Sequence, residues 1–284
     1  EAFKNCASLE SVIIPSNVRK IESSTFSGCK LLMNVALPDG ITEIADSAFE
    51  NCAELTGITL PEVIGEQAFS GCIKLKEAVF VDGTKTISKN CFLRCDSLEE
   101  AIIPESVETI QDGAFSGCTS LKKVILPSAL KSIGKSAFAG CHSLESIVIP
   151  ENVDTIDDNA FKDCDKLINV IMPGAVSNFG LDVFTNTPYM KKEFGEFVVI
   201  GGVLSKYLGS DKNVVIPDSV TAIGENAFAE ALHVESIEIP DSVKTIAKKI
   251  VGTVYTWGDN PKPQLKRITI GNGVTSIGDE AFES

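Results

Sequence analysis

Histidine is almost missing from this sequence, with two residues in 284, and tryptophan occurs only once. Two histidines are too few for most metal centres or Ser-His and Cys-His nucleophile pairs. Basic residues are also scarce: 25 Lys and Arg stand against 39 Asp and Glu, a net charge of −14. That field repels nucleic-acid phosphates and anionic membrane surfaces, so no nucleic-acid partner is expected. No apolar run reaches the roughly 18 residues of a membrane-spanning helix, so no membrane span is expected in this segment. Gly-rich phosphate loops, HExxH zinc motifs and GxSxG nucleophile elbows are absent as well. The residues therefore nominate no catalytic group, no cofactor and no metal site, and the chain reads as non-enzymatic.

What the sequence has in abundance is repetition. Cysteines stand at Cys6, Cys29, Cys52, Cys72, Cys95, Cys118, Cys141 and Cys164, in steps of 23 residues with a single step of 20. Three residues before each is a phenylalanine, from Phe3 to Phe161, and Phe184, Phe228 and Phe282 continue the pattern without the cysteine. The unit reads L-x-x-[IV]-x-[IL]-P-x-x-V-x-x-I-x-x-x-A-F-x-x-C, and about 11 copies fit. In "LESIVIP", Ile147 and Ile149 alternate with Ser146 and Val148, the period of a strand with one face inward. Proline then ends the strand, because it lacks the N–H that a ladder needs, and turn residues such as Glu151-Asn152 follow. Val153 and Ile156 turn inward before a tight segment that ends in Ala160-Phe161.

One such coil cannot bury its own apolar side, so the coils must stack. The expected fold is a repeat solenoid: a leucine-rich-repeat-like, right-handed stack of about 11 coils, β-rich, with short turns and no long helices. It is read as a single solenoid over 1–284 that begins and ends in mid-pattern, an excerpt of a longer protein. Regular repeats are expected over 1–187 and 213–250, a hairpin insertion over 188–212, a loop over 251–264 and a last repeat over 265–284. The hairpin follows from "FVVI" and "VLSKY" flanking Gly201-Gly202, and is expected to project from the coil.

The A-F-x-x-C and [IL]-P pieces, recurring together at 23-residue spacing, make the unit resemble the BspA-type, or treponemal, class of bacterial leucine-rich repeats. The resemblance covers essentially the whole chain. It implies an extracellular or cell-surface protein, binding protein or glycan partners in bacterial adhesion or host interaction. A structural spacer that displays another domain is the alternative.

Nine cysteines invite a metal or disulfide reading, but the one close pair, Cys91 and Cys95, places Cys95 on the repeat row and Cys91 in the alanine slot. Stacked parallel side chains do not point at one another, so disulfide geometry is poor. The row is read as structural, each thiol a small buried hydrophobe or weak donor to backbone. His142, in a slot otherwise filled by residues such as Lys30 and Asp165, reads as a solvated surface residue. Asp157 and Asp158 are placed to face Asp182 on the next coil, as acidic turn residues of an acidic chain do.

The candidate partner surface is the outward side of the first strand. Ile102, Ile125, Val148 and Ile171 form an apolar stripe on four consecutive coils, beside Glu100, Lys123, Ser146 and Asn169. Tyr255 and Trp257, in the loop, compete as interface anchors. Tyr189, Phe194 and Tyr207 of the insertion either contact partners or pad a bend, and its edge strand makes a dimer possible.

Overall fold

The computed structural model describes residues 1–174, 176–200, 202–251 and 263–283. The chain folds as a β-solenoid and divides into two compact units, Glu1–Tyr189 and Met190–Ser284. Eight first-leg strands lie in unit 1, from Ser11–Ile13 to Asn169–Ile171, and three in unit 2, from Asn213–Val215 to Arg267–Ile270.

Each coil has three legs. The first is a short strand such as Ser146–Val148, whose β-branched residues suit a pleated, half-buried surface. It pairs in parallel with its counterpart 23 residues on, Ile147 opposite Val170. Proline then closes a turn, the carbonyl of Pro150 accepting from Val153 N–H at 3.1 Å. The second leg is a two-residue strand such as Thr155–Ile156, with the isoleucine fully buried. At the coil shortened by three residues this second row divides: Lys20–Ile21, Glu43–Ile44 and Val63–Ile64 form one sheet, and the five strands from Thr86–Ile87 to Asn178–Phe179 another. Across that break the Ser88 hydroxyl donates to the Ile64 carbonyl.

The third leg carries the Ala-Phe pair, and two residues of left-handed backbone fold it tightly. They sit two positions before and two after the phenylalanine: Asn159 and Asp163, both at φ 57°, around Phe161, and Ser136 (φ 54°) and Gly140 (φ 70°) around Phe138. Asn, Asp and Gly tolerate this region best, which explains what those slots contain. Gln67, Arg94, Lys249 and Glu280, at φ 56°, 57°, 52° and 55°, are exceptions that nothing in their surroundings accounts for. The tight leg is itself laddered: Phe115 N–H donates to Ala137 O and Phe138 N–H to Ala160 O, both at 2.8 Å.

These ladders align the core. Nine rings from Phe3 to Phe184 stack in unit 1 with centroids 5.2–5.6 Å apart and planes within 12° of parallel. Offset stacking of this kind adds about 0.5–1.5 kcal/mol per pair beyond area burial. Each row thiol from Cys29 to Cys164 donates to the phenylalanine carbonyl one coil back, at 3.1–3.3 Å. That carbonyl already accepts from the cysteine N–H of its own coil, as Phe115 O does from Cys118 N–H at 3.1 Å. Both lone pairs of one oxygen are thus used, and the thiol fills the second. Burial pushes the Cys52 thiol up to about 12, and those of Cys72, Cys91, Cys95, Cys118 and Cys141 also rise above the ordinary 9.0.

The insertion departs from expectation in two ways. It opens with a seven-residue helix, Pro188–Phe194, not anticipated from sequence. The hairpin then forms from Phe197–Ile200 and Val203–Tyr207, with a bulge between Val198 and Val199, but it does not project. Its second strand pairs in parallel with Ala222–Ile223 and joins the second-row sheet of unit 2. Leu204 takes the slot of the buried isoleucine opposite Ile223. Tyr207 takes that of the phenylalanine: its N–H donates to Ala227 O at 2.8 Å and its ring lies 5.3 Å from Phe228. The insertion is a degenerate coil, because hydrogen-bonding into an existing sheet satisfies strand groups that a free hairpin would leave to solvent.

In unit 2, Glu235 is held between Lys212 at 2.9 Å and Lys266 at 2.7 Å. Hydrogen bonds from Lys266 first, and then Lys212, bring its carboxyl down from 4.5 to about 2.

Two outcomes follow from these contacts. A thiol reagent added to native protein should label Cys6, the one exposed thiol, quickly and the eight buried thiols only on unfolding; rapid labelling of most thiols in the folded state would contradict the buried row. The lowered Glu235 carboxyl stabilises the folded state above pH 4.5, and this contribution fades as the pH falls through about 2. Its side-chain signal in an NMR titration should therefore have a midpoint near 2, and the Tm gap between wild type and Glu235→Gln should shrink over that window. A midpoint near 4.5 would show that the two lysines do not hold it.

Candidate protein-binding face

Period-two geometry turns the first and third residues of each first-leg strand outward, and the strand row of unit 1 displays two columns. In the third-residue column Ile102, Ile125, Val148 and Ile171 keep 57, 44, 56 and 62% of their surface exposed. Val79, at 54%, extends this apolar run to five consecutive coils. It stands in the same slot of the repeat, although Val81 replaces the corner proline of its coil. The other column holds Glu100, Lys123, Ser146 and Asn169, all exposed. Register places Ile102 opposite Ile125 and Val148 opposite Ile171, so the stripe is continuous across each pair.

The strand row is not one sheet. Ladder bonds close alternate steps, Ile103 N–H to Ile125 O at 3.1 Å and Ile149 N–H to Ile171 O at 2.9 Å. Among the described residues no ladder joins Glu77–Val79 to Glu100–Ile102, or Lys123–Ile125 to Ser146–Val148. Grooves lie at these two open steps. One of about 620 Å³ is lined by residues that include Val79, Phe80, Glu77, Glu100 and Ile102. The other, about 530 Å³, includes Ile125, Val148, Pro150, Glu105 and Glu151. The second-leg and Ala-Phe ladders continue past both steps, so the stack stays closed on its other sides.

Charge flanks the stripe on both sides. Glu99 pairs with Lys122 at 2.9 Å, and Glu100 lies 3.8 Å from Lys123. The hydrogen bond from Lys122 lowers the Glu99 carboxyl from its ordinary value, but exposed pairs of this kind add little stability. Towards the proline corner, Glu105 accepts from the Ser128 amide at 3.0 Å and Glu151 from the Gly174 amide at 3.2 Å. Among the described residues Glu77 forms no ion pair.

The other sequence candidates separate by burial. Tyr207 is core and Tyr189 packs edge-on against Phe184 at 5.0 Å, while Phe194 is 41% exposed. Tyr255 and Trp257 lie outside the described residues. His142 is exposed, with Nδ1 2.8 Å from Asp165. Asp158 accepts from Leu181 N–H at 2.7 Å and Asp182 from the Thr185 hydroxyl at 2.8 Å, so these carboxylates serve local backbone and turn contacts. No group of three or more His, Cys, Asp or Glu among the described residues is arranged to hold a metal ion. No helix among them is long and apolar enough to cross a membrane.

Short parallel strands, a proline corner and a phenylalanine-cysteine row, recurring every 23 residues, define a leucine-rich-repeat solenoid. The family model for the BspA type leucine rich repeat region matches residues 1–111, 85–198 and 206–256, in 6 copies. The chain belongs to this family. It is similar to the crystal structure of a leucine-rich repeat protein from Bacteroides ovatus, with 28% identity and a TM-score of 0.52 over 100% of this chain and 66% of that one. It is also similar to a leucine rich cell surface protein from Faecalibacterium prausnitzii, with 25% identity and a TM-score of 0.52 over 96% and 75%. The chain thus spans just under two thirds of the Bacteroides protein's length. No curated protein matches it.

Proposed function

We propose that this chain is the non-enzymatic, ligand-binding solenoid of a cell-surface or secreted bacterial protein, and that it takes a protein partner on the stripe from Val79 to Ile171 in adhesion or host interaction. The observation that carries the reading is the five-coil run of aliphatic side chains left about half exposed. Threonine would stack on a strand face equally well at no hydration cost, so strand propensity alone does not require aliphatic residues there. Aliphatic groups offer area without hydrogen bonds, which suits an apolar protein surface better than a hydroxyl-rich glycan. The name of the Faecalibacterium relative, a cell surface protein, supports a location outside the cell.

Protein and glycan arrays probed in parallel with wild type and the Ile125→Asp/Val148→Asp double variant test this reading. Both side chains are exposed, so the variant should keep its circular dichroism and Tm. Protein hits that disappear with the variant are the expected result. Hits on glycans alone, or protein hits that survive the double substitution, would remove the stripe from the account and favour a spacer.

A further inference from the structure

The stripe shares a length scale with one particular kind of partner. Successive rings of the phenylalanine row lie 5.3, 5.3 and 5.2 Å apart from Phe92 to Phe161, a measure of the coil advance taken in the core behind the exposed column. An α-helix rises about 5.4 Å per turn. We propose that the face takes an amphipathic α-helix of a partner protein, laid along the stack so that one helical turn rests on each coil. This inference rests on the stripe being the binding face.

The grooves strengthen the match. They open two coils apart, about 10.5 Å at that ring spacing, and seven helical residues also span about 10.5 Å. Apolar residues at i and i+7 then enter the two grooves, and those at i+3 or i+4 cover the closed step between Ile102 and Ile125. An extended strand repeats on one face every ~6.7 Å and falls out of step after a single coil. A polyproline II segment repeats every ~9.3 Å, which reaches both grooves but leaves the closed step bare. Val79 to Ile171 spans four coil steps, so the helix needs about four turns, or ~15 residues.

The rims specify the helix's charge. Carboxylates outnumber lysines around the two grooves, Glu77, Glu99, Glu100, Glu105 and Glu151 against Lys76, Lys122 and Lys123, in a chain of net charge −14. A helix whose apolar seam is flanked by Lys or Arg is complementary to that frame.

Three labelled 18-residue peptides test the proposal by fluorescence anisotropy. Two share one composition of leucine, lysine and alanine, with leucines at helical 3,4 spacing in one and at alternate positions in the other; the third is proline-rich, with leucine at every third residue. The helical peptide should bind at least about tenfold more tightly than the other two. Val148→Asp should weaken it by about tenfold or more, as loss of a central apolar contact does. Ile13→Asp, on an exposed side chain of the first strand, should leave it unchanged. A purely electrostatic association would tighten with Val148→Asp, because the face becomes more acidic. That outcome, equal binding of the three peptides, tighter binding of either non-helical peptide, or no binding at all, would overturn the helix. If array partners are nevertheless lost with Ile125→Asp/Val148→Asp, the stripe stands and only its occupant is wrong. If they survive, both readings fall.

Discussion

One carbonyl oxygen per coil ties the wall of this protein together. From Phe3 to Phe138 each row phenylalanine gives its carbonyl both to the cysteine N–H of its own coil and to the cysteine thiol of the next. Its own N–H meanwhile donates forward to the next coil, which fixes the distance at which successive rings stack. Serine would donate to the same oxygen but is costlier to bury, and alanine would leave a lone pair unmet. Cysteine is small, apolar enough for the interior and still a weak donor. Burial keeps these thiols protonated and unreactive, which makes a thiol-rich chain compatible with the cell-surface location proposed for it.

Because that wall and the second strand row carry the stack, the first strand row need not. Its ladder is closed only at alternate steps in unit 1, and the open steps hold the two grooves. Unit 2 shows the same tolerance differently. Its first row is continuous, while the coil that should precede it is replaced by a hairpin whose Leu204 and Tyr207 supply the two core residues the stack requires.

Much of this was legible in the sequence because stacking makes every coil solve the same packing problem. The period, the proline corner, the inward Ile147, Ile149, Val153 and Ile156, the buried thiols from Cys29 to Cys164 and the two hairpin strands follow from residue type and spacing, whereas Cys6, read as part of the same buried row, is exposed. Most of the left-handed positions of the third leg were written there as well, as Asn, Asp, Ser or Gly two residues from phenylalanine, with Gln67, Arg94, Lys249 and Glu280 the departures. They escape a reading by hydrophobic period because they face solvent. The alternation of closed and open steps has no sequence signal, since Ile102, Ile125, Val148 and Ile171 occupy identical slots. The docking of the hairpin was hidden because it depends on Leu204 and Tyr207 lying three residues apart, where a regular coil spaces the equivalent pair by five. Face residues repeat less faithfully than core ones, so the proposed partner's chemistry is to be sought in the outward columns of the first strand.

The central claim is that the phenylalanine-cysteine wall carries the stability while the strand face is left partly unpaired. Native-state hydrogen exchange measures this directly. The amides of Phe92, Phe115 and Phe138, which donate to the next coil at 2.8 Å, should exchange only with global unfolding. Those of Phe80 and Leu126, at the open steps, should exchange far faster than those of Ile103 and Ile149 at the closed ones. Amides of the phenylalanine row exchanging as fast as Phe80 and Leu126 would contradict the account.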